Sequence, residues 1–172
     1  MPPSFEIKPI SESHAVSEFD CGDRDLNDFI KNDALKQKNE GWNTTYVATE
    51  IGSNKAIGFF ALAHDAINLT PELRSKHGKE YCNIPAIKIA RFAVNKTHQS
   101  KGIGKYIMGY AMGFIVQEIC PKIGGIYITL DSYPQVVSWY EKHFNYRKNT
   151  LIKDNDGDLV SLIFPIKDFK VQ

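Results

Sequence analysis

The run Gln99-Ser100-Lys101-Gly102-Ile103-Gly104-Lys105 gathers the residue types that hold an anion. It follows Ala86–Val94, a β-branched, apolar stretch that reads as a buried strand. After it, apolar residues recur at Ile103, Ile107, Ala111, Phe114 and Ile115, a helical spacing. The order is strand, glycine-rich turn, helix. A helix start has backbone N–H groups without intrahelical partners and a partial positive charge, so carboxylates favour its first turn. Here that turn carries Lys101 and Lys105 and no carboxylate. Two glycines let a bulky anion approach the backbone. The chemistry this suits is the cradling of a phosphate or diphosphate. The plainer reading is a helix start whose lysines point into water.

Spacing narrows the cradle. A Walker loop requires G-x-x-x-x-G-K-[ST], which is absent, and a dinucleotide fingerprint would place glycine where Ile107 stands. The pattern that fits is Q-x-x-G-x-G, from Gln99 to Gly104. Arg91 interrupts the preceding apolar strand, a costly position unless the guanidinium is paired or faces a ligand. It suits an acceptor phosphate or carboxylate, or an internal ion pair with a carboxylate such as Asp131. No general base stands out. His64 and Asp65 close a strand, and a water is equally suitable.

These residues need a scaffold, and 172 residues suffice for one domain, 1–172, with a hydrophobic core. Hydrophobic residues at 42% and charged residues at 24% are those of an ordinary globular chain. No apolar run reaches membrane-spanning length, and the N-terminus lacks a signal-peptide layout, so a cytoplasmic protein is expected. Cys21, Cys82 and Cys120 form neither a disulfide framework nor a metal motif, and no metal is expected. Net charge is +1, which by itself predicts no polyanion partner. The distribution is uneven. Residues 1–50 hold ten acids and five bases, whereas Arg74 to Lys105 holds eight bases and Glu80 alone. A basic centre concentrates phosphate-bearing ligands; it equally describes solvated surface lysines.

Along the chain, Phe5–Ile10 reads as an edge strand and Asp20-Cys21-Gly22-Asp23 as turn and cap. A helix is expected from Arg24 to about Glu40. Strands Trp42–Ile51 and Lys55–Ile67 flank a Gly52-Ser53-Asn54 turn. A polar excursion spans Thr70–Asn83, with a helical turn at Pro71. The helix after the cradle should end at about Cys120, before Pro121. Then come a strand at Gly125–Asp131, a short helix at Pro134–His143, and strands Tyr146–Leu151 and Leu159–Ile166 around an Asp154–Gly157 turn. The order β-α-β-β-β-α-β-α-β-β predicts a mixed α/β sheet with helices on its faces.

Four segments in this order resemble the GNAT N-acetyltransferases. Phe19-Asp20-Cys21-Gly22 with Leu26 resembles the N-terminal signature of one GNAT branch. Pro85–Val94 resembles that branch's fourth strand, Gln99–Gly104 the acyl-CoA diphosphate loop, and Trp139-Tyr140-Glu141-Lys142 the end of the last helix. The branch resembles the acetyltransferase toxins of toxin–antitoxin pairs, which acetylate the amine of aminoacyl-tRNA. The resemblance implies a GNAT fold: a central sheet of about six or seven strands, with a splayed central pair. It implies acetyl-CoA as co-substrate and direct acetyl transfer to a primary amine. It also implies a small ribbon-helix-helix antitoxin and a homodimer as partners.

Residue by residue, the resemblance gives the backbone of Phe92, Ala93 and Val94 to the pantetheine arm. The diphosphate falls to Gln99, Ser100, Lys101, Gly102, Ile103, Gly104 and Lys105. Tyr140 becomes the general acid that protonates or hydrogen-bonds the departing sulfur; as a bare residue it reads equally well as aromatic core. Arg91 becomes a candidate for the acceptor. Two positions depart from the pattern: Tyr133 stands where asparagine is frequent, and His143-Phe144-Asn145-Tyr146 lacks a glycine for which Asn145 can substitute in a left-handed turn. Three functions stay open: an aminoacyl-tRNA-acetylating toxin, a GNAT enzyme for a small or protein amine, and a non-catalytic acyl-CoA-binding module.

Overall fold

The structure, a computed structural model, describes residues 5–78, 83–152 and 158–170. Lys79, Glu80, Cys82 and the expected Asp154–Gly157 turn lie outside the described residues. The strands are β1 (Phe5–Pro9), β2 (Thr44–Glu50), β3 (Ala56–Asn68), β4 (Asn83–Val94), β5 (Tyr127–Ser132), β6 (Arg147–Lys148) and β7 (Val160–Pro165). They make a seven-stranded mixed sheet in the hydrogen-bonded order β1-β2-β3-β4-β5-β7-β6. The chain divides into two compact units, residues 1–63 with 89–111 and residues 64–88 with 112–172.

In the first unit, β1 pairs antiparallel with β2 and β2 with β3. The β-branched run of β2 suits this half-buried surface, and Gly52, at φ +80°, makes the connecting turn. Helix α1 (Arg24–Asp28) starts where the Asp23 carboxylate accepts the Leu26 N–H at 3.0 Å. It continues through a π turn (Phe29–Asp33) into α2 (Ala34–Asn39). The π turn brings Phe29 and Ile30 into the core, where Phe29 and Phe19 both meet the Phe59 ring. The core cluster here joins Ile10, Phe19, Ile30, Ala34, Val47, Phe59 and Ala93.

The second unit holds α3 (Pro71–His77), which Thr70 caps by accepting the Leu73 N–H at 3.3 Å. Here β4 pairs parallel with β5 at Ala86–Lys88 against Tyr127–Thr129. That register ends at Lys88↔Thr129, although β4 itself goes on to Val94. β5 pairs antiparallel with β7, and β7 with β6. Ile67, Leu69, Ile84, Ala86, Leu151 and Ile163 form the core cluster.

Helix α4 (Ile103–Phe114) buries Ile103, Ile107, Met108, Ala111 and Met112 on one side. The helical run that it begins does not end before Pro121. A π turn (Ile115–Ile119) leads into α5 (Cys120–Ile123), with the Cys120 N–H bonded to the Ile115 carbonyl. Pro121 thus falls in the first turn of a new segment, where a missing N–H costs little. Among the described residues, no helix is long and apolar enough to cross a membrane.

Candidate active site

The glycine-rich turn is built by short-range bonds. The Asn95 carboxamide accepts the Thr97 N–H at 3.1 Å and so caps a 3-10 turn, Lys96–His98. The Asn95 N–H donates to the Ile57 carbonyl at 2.8 Å. The chain then takes left-handed conformations at Ser100 (φ +60°) and Gly102 (φ +82°). A positive φ is uncommon for serine; here it turns the backbone into the helix start. Lys101 Nζ donates to the Thr97 carbonyl at 2.7 Å, across the turn. Ile103 is buried and anchors α4, and the Tyr106 N–H bonds the Gly102 carbonyl at 3.1 Å. The N–H groups of Ile103, Gly104 and Lys105 precede that ladder and have no partner within the helix. The first turn has no carboxylate. Amides at a positive helix end beside lysines are groups that can hold an anion.

The strand that leads into this turn is packed closely. Ala93 and Val94 are buried and Phe92 is half-buried. A Cβ placed on Gly58 of β3 would stand 3.0 Å from the Ala93 carbonyl oxygen, so only glycine admits this approach. Gln99 does not offer its side chain to a ligand. Its Nε2 donates to the Val94 carbonyl at 2.8 Å and to the Cys21 carbonyl at 2.9 Å. Its backbone N–H is likewise taken, by the Lys96 carbonyl at 3.3 Å, so Gln99 shapes the turn and has no donor left for the role expected of it. Arg91 does not form an ion pair with Asp131: Lys88 takes that carboxylate at 2.5 Å. The Arg91 guanidinium is exposed over the Phe29 ring, 5.3 Å from its centroid, and donates to the Ala90 carbonyl. A cation stacked on an aromatic face at the surface explains how the strand accommodates it.

Tyr140 lies in the second unit, on α6 (Val137–Phe144). Its ring packs edge-on against Trp139 at 5.0 Å and Tyr146 at 5.8 Å. Burial pushes its phenol up to about 12. Asn145 closes α6 in the left-handed conformation, φ +56°, as its residue type allows without a glycine. Tyr133, in the place of the frequent asparagine, is exposed. On the same unit, Asp65 accepts the buried Thr129 hydroxyl at 2.5 Å, while His64 is exposed.

Two features were not legible as site residues. Asp20 binds Lys96, a partner 76 positions away, and no local pattern signals such a pair. Tyr146 is buried, and its hydroxyl has no hydrogen-bond partner among the described residues. Among the described residues, no cluster of His, Cys, Asp and Glu could hold a metal ion.

No family model matches the chain. A tRNA-acetylating toxin of Mycobacterium tuberculosis (strain ATCC 25618 / H37Rv) is 27% identical over 108 residues, 63% of this chain. The matched segment spans 64% of that relative's length, less than two thirds of it. Among solved structures, AtaT complexed with acetyl-methionyl-tRNAfMet has a TM-score of 0.79 at 18% identity, over 95% of both chains. A tyrosine-to-phenylalanine mutant of AtaT, bound to the C-terminus of the antitoxin AtaR and to acetyl-CoA, gives 0.75 at 17% identity. That likeness covers 95% of this chain and 94% of the mutant. In fold, this chain is similar to the AtaT structures along nearly its whole length.

Proposed function

We propose that this protein is an acetyl-CoA-dependent N-acetyltransferase whose acceptor is the amine of an aminoacyl-tRNA, and that it is the toxin of a toxin–antitoxin pair. The observation that carries the reading is the turn at Ser100–Gly102. It opens α4, whose first N–H groups, those of Ile103, Gly104 and Lys105, have no partner within the helix, beside two lysines and with no carboxylate in the same turn. The relative that acetylates tRNA and the AtaT structures with acetyl-tRNA, acetyl-CoA and antitoxin support the substrate, co-substrate and partner.

Acetyl-CoA supplies an acetyl group activated as a thioester. The turn residues Ser100 to Lys105 hold its diphosphate, and the backbone of Phe92, Ala93 and Val94 orients the pantetheine arm. Fixing the two reactants removes much of the entropy cost of their meeting. Tyr140 serves the departing sulfur, and its raised phenol decides how. A thiol ordinarily ionises near 8.5, so full proton transfer from a phenol at about 12 would be uphill by about 5 kcal/mol. Tyr140 therefore acts by donating a hydrogen bond to sulfur as negative charge develops there, a role that a neutral buried phenol fills at every physiological pH. Arg91, exposed on the unit that carries the cradle, is offered to acceptor phosphate.

The test is acetylation of purified aminoacyl-tRNA with labelled acetyl-CoA, together with induced expression in a bacterial host. Label on the aminoacyl amine and arrest of growth are expected. Rapid labelling of small amines or proteins, with unchanged growth and unlabelled tRNA, would identify a metabolic or protein acetyltransferase. Binding of tRNA through phosphates should weaken steeply as salt is raised.

A further inference from the structure

The segment Phe19–Gly22 matches a branch signature, yet none of its side chains belongs to the cradle. Its geometry gives it a task. The Asp20 carboxylate accepts from the Gly22 N–H and from Asn27 Nδ2, both at 2.9 Å, and its other oxygen takes Lys96 Nζ at 2.9 Å. The Asp20 carbonyl accepts the Lys96 N–H at 2.8 Å. The Cys21 N–H donates to Asn27 Oδ1 at 2.9 Å, and the Cys21 carbonyl takes Gln99 Nε2 at 2.9 Å. Gly22, at φ +93°, takes a left-handed conformation that favours glycine, and a Cβ there would press on Lys96 Cε at 3.1 Å. Phe19 fastens the segment to the core at 1% exposure. One end of the segment is therefore nailed to the core and to the first turn of α1. The other grips both ends of the Lys96–Gln99 stretch just before the cradle.

We propose that Phe19–Gly22 is a clasp that holds the diphosphate-binding turn in its ligand-ready shape, with Asp20 as a positioning residue acting through Lys96 and the Cys21 carbonyl acting through Gln99. This rests on the cradle's binding a coenzyme A diphosphate. A turn with two left-handed residues has many competing conformations, and each one populated in the free protein weakens the apparent affinity by that fraction. The clasp acts on binding without touching the reacting atoms. Losing it lowers affinity for acetyl-CoA and leaves turnover of the bound complex unchanged.

The experiment measures acetyl-CoA affinity by titration calorimetry, and KM and kcat in acetylation, for the full chain and for Asp20→Ala, Asp20→Asn and Lys96→Met. Asp20→Ala is expected to raise Kd and KM about fivefold or more, the equivalent of at least one net hydrogen bond, with kcat unchanged. Asp20→Asn keeps an oxygen for Gly22 and Asn27 and loses only the ion pair, so it should fall between wild type and Asp20→Ala. Lys96→Met tests the ion pair from its exposed end, should Asp20→Ala fold poorly, and is expected to match Asp20→Asn. Amide hydrogen exchange at Ser100–Gly102 should quicken in each variant. Unchanged Kd in variants that fold, or a loss confined to kcat, would overturn the clasp while leaving the cradle intact. A wild-type protein that fails to bind acetyl-CoA overturns the cradle itself, and the clasp with it.

Discussion

The rings of Tyr140 and Tyr146 meet edge-on, with centroids 5.8 Å apart and planes at 75°. Tyr146 in turn tilts against Phe164, also at 5.8 Å. The hydroxyl of Tyr146 is buried without a partner among the described residues, and burial pushes its phenol well above the ordinary value, with the neighbouring Tyr140 adding to the shift. The ring holds Tyr140 in place; the oxygen contributes nothing to that contact.

Tyr146→Phe should accordingly keep the ring contact and remove a desolvated hydroxyl. Its stability in urea should rise by about 1 kcal/mol, with kcat unchanged. A fall in stability would show that the hydroxyl has a partner.

Tyr140→Phe should lower kcat by about a hundredfold, the scale of one lost hydrogen bond to developing charge, and leave acetyl-CoA affinity little changed. Because the phenol stays protonated until about 12, the kcat profile of the wild type should show no alkaline fall due to this residue below that pH. An equal loss in kcat and in acetyl-CoA affinity would make Tyr140 a packing residue.

Gly58→Ala probes the floor of the pantetheine strand. The added Cβ would stand 2.6 Å from Ile107 Cδ1 and 3.0 Å from the Ala93 carbonyl oxygen. The isoleucine tip can move, but the backbone oxygen can do so only by displacing β4. A stability loss of about 1–3 kcal/mol is expected, with a raised Kd for acetyl-CoA measured on the folded variant. Unaltered stability and affinity would show that the strand yields freely.

Much of the architecture could be read directly from residue patterns. The β-branched run of β2, the cap at Asp23, and Asn145 as a left-handed helix end all carry their geometry in residue type. The π turns at Phe29–Asp33 and Ile115–Ile119 do not: an apolar helical period looks the same whether one turn is widened or not, which is why the helix passes Pro121. The cradle's glycines were visible, but not that Ser100 would share their left-handed conformation. Gln99 matched the motif while its amide turns inward, because its acceptors, Cys21 and Val94, are brought to it by tertiary structure. For the same reason Arg91 and Asp131 looked like partners until Lys88, two residues from Ala90 on the same strand, claimed the carboxylate.

Asp20 should leave a signature in acid. Hydrogen bonds from Lys96, Asn27 and Gly22 hold its carboxyl well below the usual carboxylate range. Its stabilisation is therefore fully present above the ordinary carboxylate value of about 3.9 and is lost as the pH falls below it. Urea unfolding of wild type and Asp20→Asn should differ by a constant amount from neutrality down to about pH 5, then converge as the carboxyl is protonated in both folded and unfolded chains. A difference that does not change with pH would mean that Asp20 is not the charged partner of Lys96.

The central claim, that amides from Ser100 to Lys105 hold the diphosphate of a coenzyme A thioester, is tested most directly by calorimetric titration of acetyl-CoA into wild type and Gly104→Glu. Saturable one-to-one binding by the wild type is predicted, and its disappearance in Gly104→Glu at unchanged thermal stability, because the new carboxylate fills the anion's place. Equal affinity in the two proteins would contradict it.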